Sequence, residues 1–554
     1  MIGALDSYNN HCITENGNPA YNWVNCSNYY SGIEEEMIVQ FYFQAILDKN
    51  MDYTNMKHKF KELLESCIMT KYNDYCIRLL LQTRDIEEGK GLYELTYHML
   101  SVLHYKVFHE KSFSFDTYFN ILKHIVNDFK INEKKEKAYG SWKDIKYYLN
   151  ILHHTQNDVG VRSIIQFIYI PQIHEDLENM NYNKSVTLLG KWLPREKSKK
   201  FGWIAKQIAK QLYFDTFNMR VSSNISLKYY RAICSKLNTY IDTTQVHMCN
   251  KEWDKINFNR VTGQTMLKSR SSFMNKRNIQ EEHRIKCKYN LISFVENKIN
   301  KNEVMKGKTI MPHYFVKECL KKILDDKEQD IFNLQWKGMI ENISNSPCCL
   351  KYCIPCIDVS PSMYNGNIDP VCSAIGMGLA TLEISTISRA FTFSDNPQWI
   401  KINKNDPPYD NIQKIYNSPW GGTTNIYKMF MMMLDACIEN NITNEELCKY
   451  SLIIYSDMQF DNCCDDEKNL IDKVKKDFFE KGGYTTIPFL IFWNLRYSDT
   501  FPTINSTPDS LKLSGNSVSL LKLFLEEDIQ TIKKMSNWSI IENILKKDRY
   551  NYKK

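Results

Sequence analysis

Residues 349–360, CLKYCIPCIDVS, followed by Pro361-Ser362-Met363, decide how the last third of the chain reads. A short apolar run ending in a polar turn is what a strand looks like when the sheet is covered on both faces. The same texture recurs outward from it. A helical stretch at 370–384 (PVCSAIGMGLATLEI) is followed by a strand at 389–395 (RAFTFSD) and a helix at 426–438 (IYKMFMMMLDACI). A strand at 451–458 (SLIIYSDM), a helix at 468–483 and a strand at 487–495 (IPFLIFWNL) come next, and 517–527 opens a last helical stretch. Alternating strands and helices predict a doubly wound α/β domain over 346–554, built on a parallel sheet. On such sheets ligands bind at the carboxyl ends of the strands.

Hard oxygens collect where that rule puts a ligand. Asp358, Ser360 and Ser362 alternate at the end of the first strand, so three side chains can converge from one extended turn. Thr423 and Thr424 stand before Asn425 and the next helix, and Ser456-Asp457-Met458 closes a third strand. A small, hard cation such as Mg2+ takes carboxylates, hydroxyls and waters. The set resembles the metal-ion-dependent adhesion site of von Willebrand factor A domains: Asp-x-Ser-x-Ser, then a Thr, then an Asp. By that resemblance Asp358, Ser360 and Ser362 are first-loop ligands of Mg2+ or another divalent cation, Thr424 the second-loop ligand and Asp457 the third. Pro361 stands where Gly is frequent and supplies no ligand. The resemblance also implies a protein partner, whose acidic side chain completes the metal's open position. On the residues alone, an N-capping turn without a metal is the other reading.

The first 345 residues read as almost entirely helical. Segments such as 34–48, 92–108 and 202–218 space their apolar residues at three and four, and no fixed-period repeat is visible. An N-terminal α-helical, HEAT-like array (1–345) ahead of a von Willebrand factor A-like domain (346–554) resembles the Ro ribonucleoprotein (TROVE-like) family. It is more similar still to that family's uncharacterised viral, fungal and plant relatives. The residues that carry the likeness are Arg84-Asp-Ile-Glu-Glu-Gly89-Lys-Gly91, Tyr139-Gly140-Ser-Trp142-Lys-Asp144, Lys191-Trp192-Leu-Pro194-Arg-Glu196 and Ser456-Asp457-Met-Gln-Phe-Asp461. The resemblance to Ro proteins implies RNA binding by the helical array. Two stretches could serve it. Between 184 and 210 eight bases face one acid, among them Lys191, Arg195, Lys197, Lys199, Lys200 and Lys206, with Trp192, Phe201 and Trp203 interleaved. Lys268, Arg270, Lys276 and Arg277 lie in a second basic stretch. Basic grooves with aromatic platforms hold single-stranded nucleic acid. The plainer alternative is a solvated basic face with its aromatics packed inward.

Composition sets the outer limits. The 554 residues are 43% apolar with 20 Gly and 15 Pro, which fits two or three globular cores and excludes a disordered chain. A net charge of +7 permits an anionic partner without demanding one. MIGALDSYNNHC lacks the profile of a signal peptide, and no run approaches the roughly 18 apolar residues of a membrane span. The expectation is a cytoplasmic protein, away from membranes, with its 17 cysteines reduced. Cys353 and Cys356 invite zinc, but residues three apart on a strand face opposite sides and cannot converge on one ion. His247 with Glu252 reads as helix packing. Gly89-Lys90 lacks the preceding strand and the closing Ser or Thr of a phosphate loop. No G-x-S-x-G or H-E-x-x-H occurs, so no enzyme is expected. The resulting expectation is a non-enzymatic, RNA-binding ribonucleoprotein component of viral type with a metal-dependent protein-interaction domain. The alternative is a protein-interaction scaffold without RNA.

Overall fold

β1 (Cys353–Asp358) is buried along its whole length, as its apolar run requires. It sits inside a six-stranded sheet with β2 (Arg389–Phe393), β3 (Gln398–Lys401), β4 (Ser451–Ser456), β5 (Phe489–Asn494) and β6 (Ser510–Ser514). The order across the sheet is β6-β5-β4-β1-β2-β3, and every neighbouring pair is parallel except β2 with β3. From β1 the chain moves out to β2 and β3, then returns to β4 on the opposite flank of β1. The winding therefore reverses between β1 and β4, and the crevice belongs at their carboxyl ends.

The structure is a computed structural model that describes residues 11–13, 19–21, 23, 32–48, 51–155, 158–321, 323–344, 349–364, 370–393, 397–418, 425–460, 470–497, 510–522 and 529–553. The chain divides into two compact units that are not continuous in sequence. The first holds Met1–Leu79, Glu88–Lys90 and Lys298–Leu545, and so contains the sheet. Helices cover both of its faces. Helices Ile426–Glu439 and Leu470–Gly482 press Met429, Phe430, Val474 and Phe478 onto Ile354, Leu452, Ile454 and Leu490. Helix Pro370–Ile384 lies on the other face, where the Thr381 and Tyr455 hydroxyls bond at 2.7 Å. Gly376 lets helix Pro312–Lys321 cross it closely, since a Cβ there would stand 2.6 Å from the Pro312 Cβ.

Lys90 shows what the Gly89-Lys90 pair does. Its buried ammonium donates to the carbonyls of Tyr42 and Ala45 at the end of helix Ile33–Gln44, and to Ser514 Oγ at 2.6 Å. A cation there meets the negative end of the helix dipole. Burial pushes this amine well below its ordinary pKa.

The second unit, Leu80–Glu87 with Gly91–Asn297 and Lys546–Lys554, is an irregular helical array. Helix Trp142–His154 packs on Tyr93–Phe108 and Phe115–Val126, and Gly202–Phe217 packs on Ser223–Ile241. Two buried ion pairs tie distant segments together. Arg84 meets Asp144 at 2.7 Å, and Arg549 grips Asp85 through two hydrogen bonds of 2.6 and 2.7 Å. Asp144 also accepts the Ser141 N–H at 2.6 Å. A Cβ on Gly140 would fall 2.4 Å from the Asp144 carboxylate, so glycine leaves room for the pair. The Arg84–Gly91 and Tyr139–Asp144 motifs are thus largely architectural.

Helices ahead of a sheet with parallel strands match the architecture read from sequence. The short strands β3 and β6 were not legible there; the stretch expected to open a last helical run at 517 begins with a 3-10 turn, Val518–Lys522, its remainder to 527 lies outside the described residues, and helices Ile529–Lys534 and Asn537–Lys546 follow. Among the described residues no helix is long and apolar enough to cross a membrane.

Candidate metal centre and basic aromatic face

β1 ends at Asp358, and its direction carries the buried Asp358 and Ser360 to the crevice beside β4. The Ser360 N–H donates to Asp358 Oδ1 at 2.9 Å, which folds the turn back on the carboxylate. Ser360 and Ser362 share a hydroxyl hydrogen bond of 3.0 Å. From the end of β4, Ser456 donates to Asp358 Oδ2 at 2.5 Å and Asp457 presents a second buried carboxylate. The turn after it is strained: Met458, a non-glycine residue, has φ +63°, while its N–H donates to Ser456 Oγ.

Two buried carboxylates side by side repel. Burial first, and then the charge of Asp457, raise the Asp358 carboxyl to about 7, against the opposing hydrogen bonds from Ser456 and Ser360. Burial also raises Asp457, opposed by hydrogen bonds from the Gln459 N–H, Ser362 and Arg496. Arg496, just beyond β5, reaches Asp457 Oδ2 at 3.2 Å. Of the five expected ligands, Asp358, Ser360, Ser362 and Asp457 come together; Thr424 lies outside the described residues. Their oxygens fit a hard divalent cation, which would neutralise the excess negative charge. Ser456 was read as closing the strand but not as a partner of Asp358, and Arg496 was not singled out, although it follows the strand that adjoins β4. Cys353 and Cys356 are buried free thiols of β1, while Cys348 lies outside the described residues.

The basic residues group differently from their order in sequence. Lys146 projects from helix Trp142–His154 to lie 5.0 Å from the Trp192 ring and 5.3 Å from Phe201. Lys143 lies 5.1 Å and Lys200 5.0 Å from the Tyr147 ring, whose edge meets Phe201. Lys191 lies 5.5 Å from Trp192. Burial lowers the amines of Lys143, Lys146 and Lys191; for Lys143 the Asp144 carboxylate opposes it while Lys268 and Arg84 add to it, and Lys143 and Arg195 further lower Lys146. Lys191, Arg195, Lys200 and Lys268 therefore share one field with Lys143, Lys146 and Tyr147, which the sequence did not single out. Lys197, Lys199, Lys206, Lys276 and Arg277 are exposed. Arg270 corrects the expectation: it is 1% exposed, because on helix Gly263–Phe273 it shares the inward face with Met266 and Phe273. Arg284 likewise turns in, its guanidinium stacked 3.4 Å from the Trp253 ring centre.

Two family models match the chain, both described as a domain of unknown function: DUF2828 over residues 165–348 and DUF7788 over 352–552. They meet near residue 350, where the sequence changes texture. An uncharacterised protein, L728 of Acanthamoeba polyphaga mimivirus, is 24% identical over 472 residues, covering 82% of this chain and 76% of its own. Among solved structures, the chain resembles the Ro (RSR) protein of Deinococcus radiodurans at 10% identity and a TM-score of 0.43, over 89% of this chain and 99% of that one.

Proposed function

We propose that the chain is a non-enzymatic, RNA-binding ribonucleoprotein component whose α/β domain engages an acidic partner through a divalent cation. The observation that carries the RNA reading is the arrangement of Lys143, Lys146, Lys191 and Lys200 over Tyr147, Trp192 and Phe201. Among the described residues, Lys146, Lys191 and Lys200 have no carboxylate at ion-pair distance. Partly desolvated cations beside ring faces suit a strand whose phosphates supply the missing charge and whose bases stack. When bound, a cation on Asp358, Ser360, Ser362 and Asp457 would offer a position to a partner's carboxylate. Metal-assisted hydrolysis, the remaining use of the same oxygens, would want a placed base or a second ion beside the first.

Anisotropy of a fluorescein-labelled single-stranded RNA, titrated at several salt concentrations, tests this reading. Lys146→Glu with Lys200→Glu should weaken binding at least tenfold and flatten the dependence on salt. Asp358→Asn should leave RNA affinity unchanged and abolish capture of an acidic partner. A protein that ignores RNA at low salt ends the RNA half. The buried acid pair at the switch between β1 and β4 would then favour the second reading, a protein-interaction scaffold.

A further inference from the structure

Beside helix Ile426–Glu439, the strands β2 and β3 floor a cleft of about 810 Å3. Phe391 and Trp399 stand opposite each other in register, their ring centres 4.3 Å apart, and Trp399 is 43% exposed. Met432, Met433 and Ala436 of the helix form the wall. The size and the predominantly apolar lining are those of a small-molecule site.

One end of the floor is charged. Arg389 and Lys401 are also partners in register, two residues along from Phe391 and Trp399 and on the same face. Like charges directly opposite on neighbouring strands destabilise the pair. Among the described residues no carboxylate lines the cleft, and the Arg389 guanidinium lies 6.0 Å from the Trp399 ring centre. An anion between the two cations would relieve their repulsion, and an apolar tail would cover the open tryptophan.

We infer that this cleft binds a small amphipathic carboxylate, its acid group between Arg389 and Lys401 and its aliphatic or aromatic body along Trp399, Met432 and Met433. The site is independent of the RNA and metal readings.

Isothermal titration of the full chain with decanoate, below its micelle concentration, tests it. Saturable one-to-one binding is expected, with decanol and decyltrimethylammonium at least tenfold weaker. Arg389→Gln with Lys401→Gln should weaken decanoate at least tenfold while melting no lower than the parent, since the repulsion is gone. Ala436→Trp, which fills the wall, should abolish binding; Arg389→Lys, which keeps the charge, should largely preserve it. Unsaturable heats, equal affinity for decanol, or unchanged binding in the charge or wall variants would overturn the assignment. So would capture of an acidic, apolar decapeptide by a protein that ignores decanoate.

Discussion

At the scale of single residues, the Asp358–Asp457 pair makes the sharpest demand. Without a cation the two buried carboxylates oppose each other. Asp358→Asn should therefore leave the protein as stable as the parent, or about 1 kcal/mol more so, in chelator. The parent alone should gain stability as Mg2+ is added, following the occupancy of the site; thermal melts with and without Mg2+ check both halves. His313 supplies a pH dependence. Burial, and then Lys317, lower its imidazole from 6.5 to about 3. The folded state thus refuses a proton that the unfolded state accepts below pH 6.5. Stability should be flat above that value and fall below it, by up to about 1.4 kcal/mol per pH unit towards pH 3. Urea midpoints from pH 7 to 4.5 should show a shallower decline in His313→Leu. Asp358, Ser360 and Ser362 were legible because strand, turn and alternation lie within a few residues. Arg496 was not, because its place beside Asp457 depends on β5 lying next to β4. Arg270 misled because charge counts ignore which face of a helix turns inward.

At the scale of elements, close crossings replace long apolar side chains. Gly376→Ala would drive a Cβ into Pro312, whose ring and backbone cannot rotate away, and should cost about 1–3 kcal/mol. Gly378→Ala meets the Ile357 side chain, its Cδ1 at 2.6 Å and its Cγ1 at 2.7 Å. That side chain can shift where the Pro312 backbone cannot, and alanine favours the helix by up to about 1 kcal/mol, so the cost should be smaller. Urea unfolding of the two variants distinguishes them. The longer strands and helices of the α/β part were legible from their apolar runs and periods. β6 was not: SLKLS places Lys512 at its centre, and a mid-strand lysine reads as solvent-facing. The structure buries it, 3.5 Å from Glu36 of helix Ile33–Gln44, a partner far away in sequence.

At the scale of the whole molecule, the two units exchange segments along the chain, which no local pattern announces. The change of texture near residue 350 was readable; the return of Lys546–Lys554 to the helical unit was not. Removing one partner of a buried ion pair costs about 3–5 kcal/mol. Arg549→Ala should lower the calorimetric transition of the helical unit by that equivalent and leave the transition of the sheet unit nearly unchanged. A single joint shift of both would contradict this division. The same pair sets a clock on synthesis. Asp85 and Arg549 are 464 positions apart. At translation speeds of ~5–20 residues per second, the guanidinium leaves the ribosome roughly half a minute to a minute and a half after its carboxylate. For that interval the nascent helical unit holds Asp85 without its counter-ion, so it should be a client of chaperones long after most of its helices have emerged.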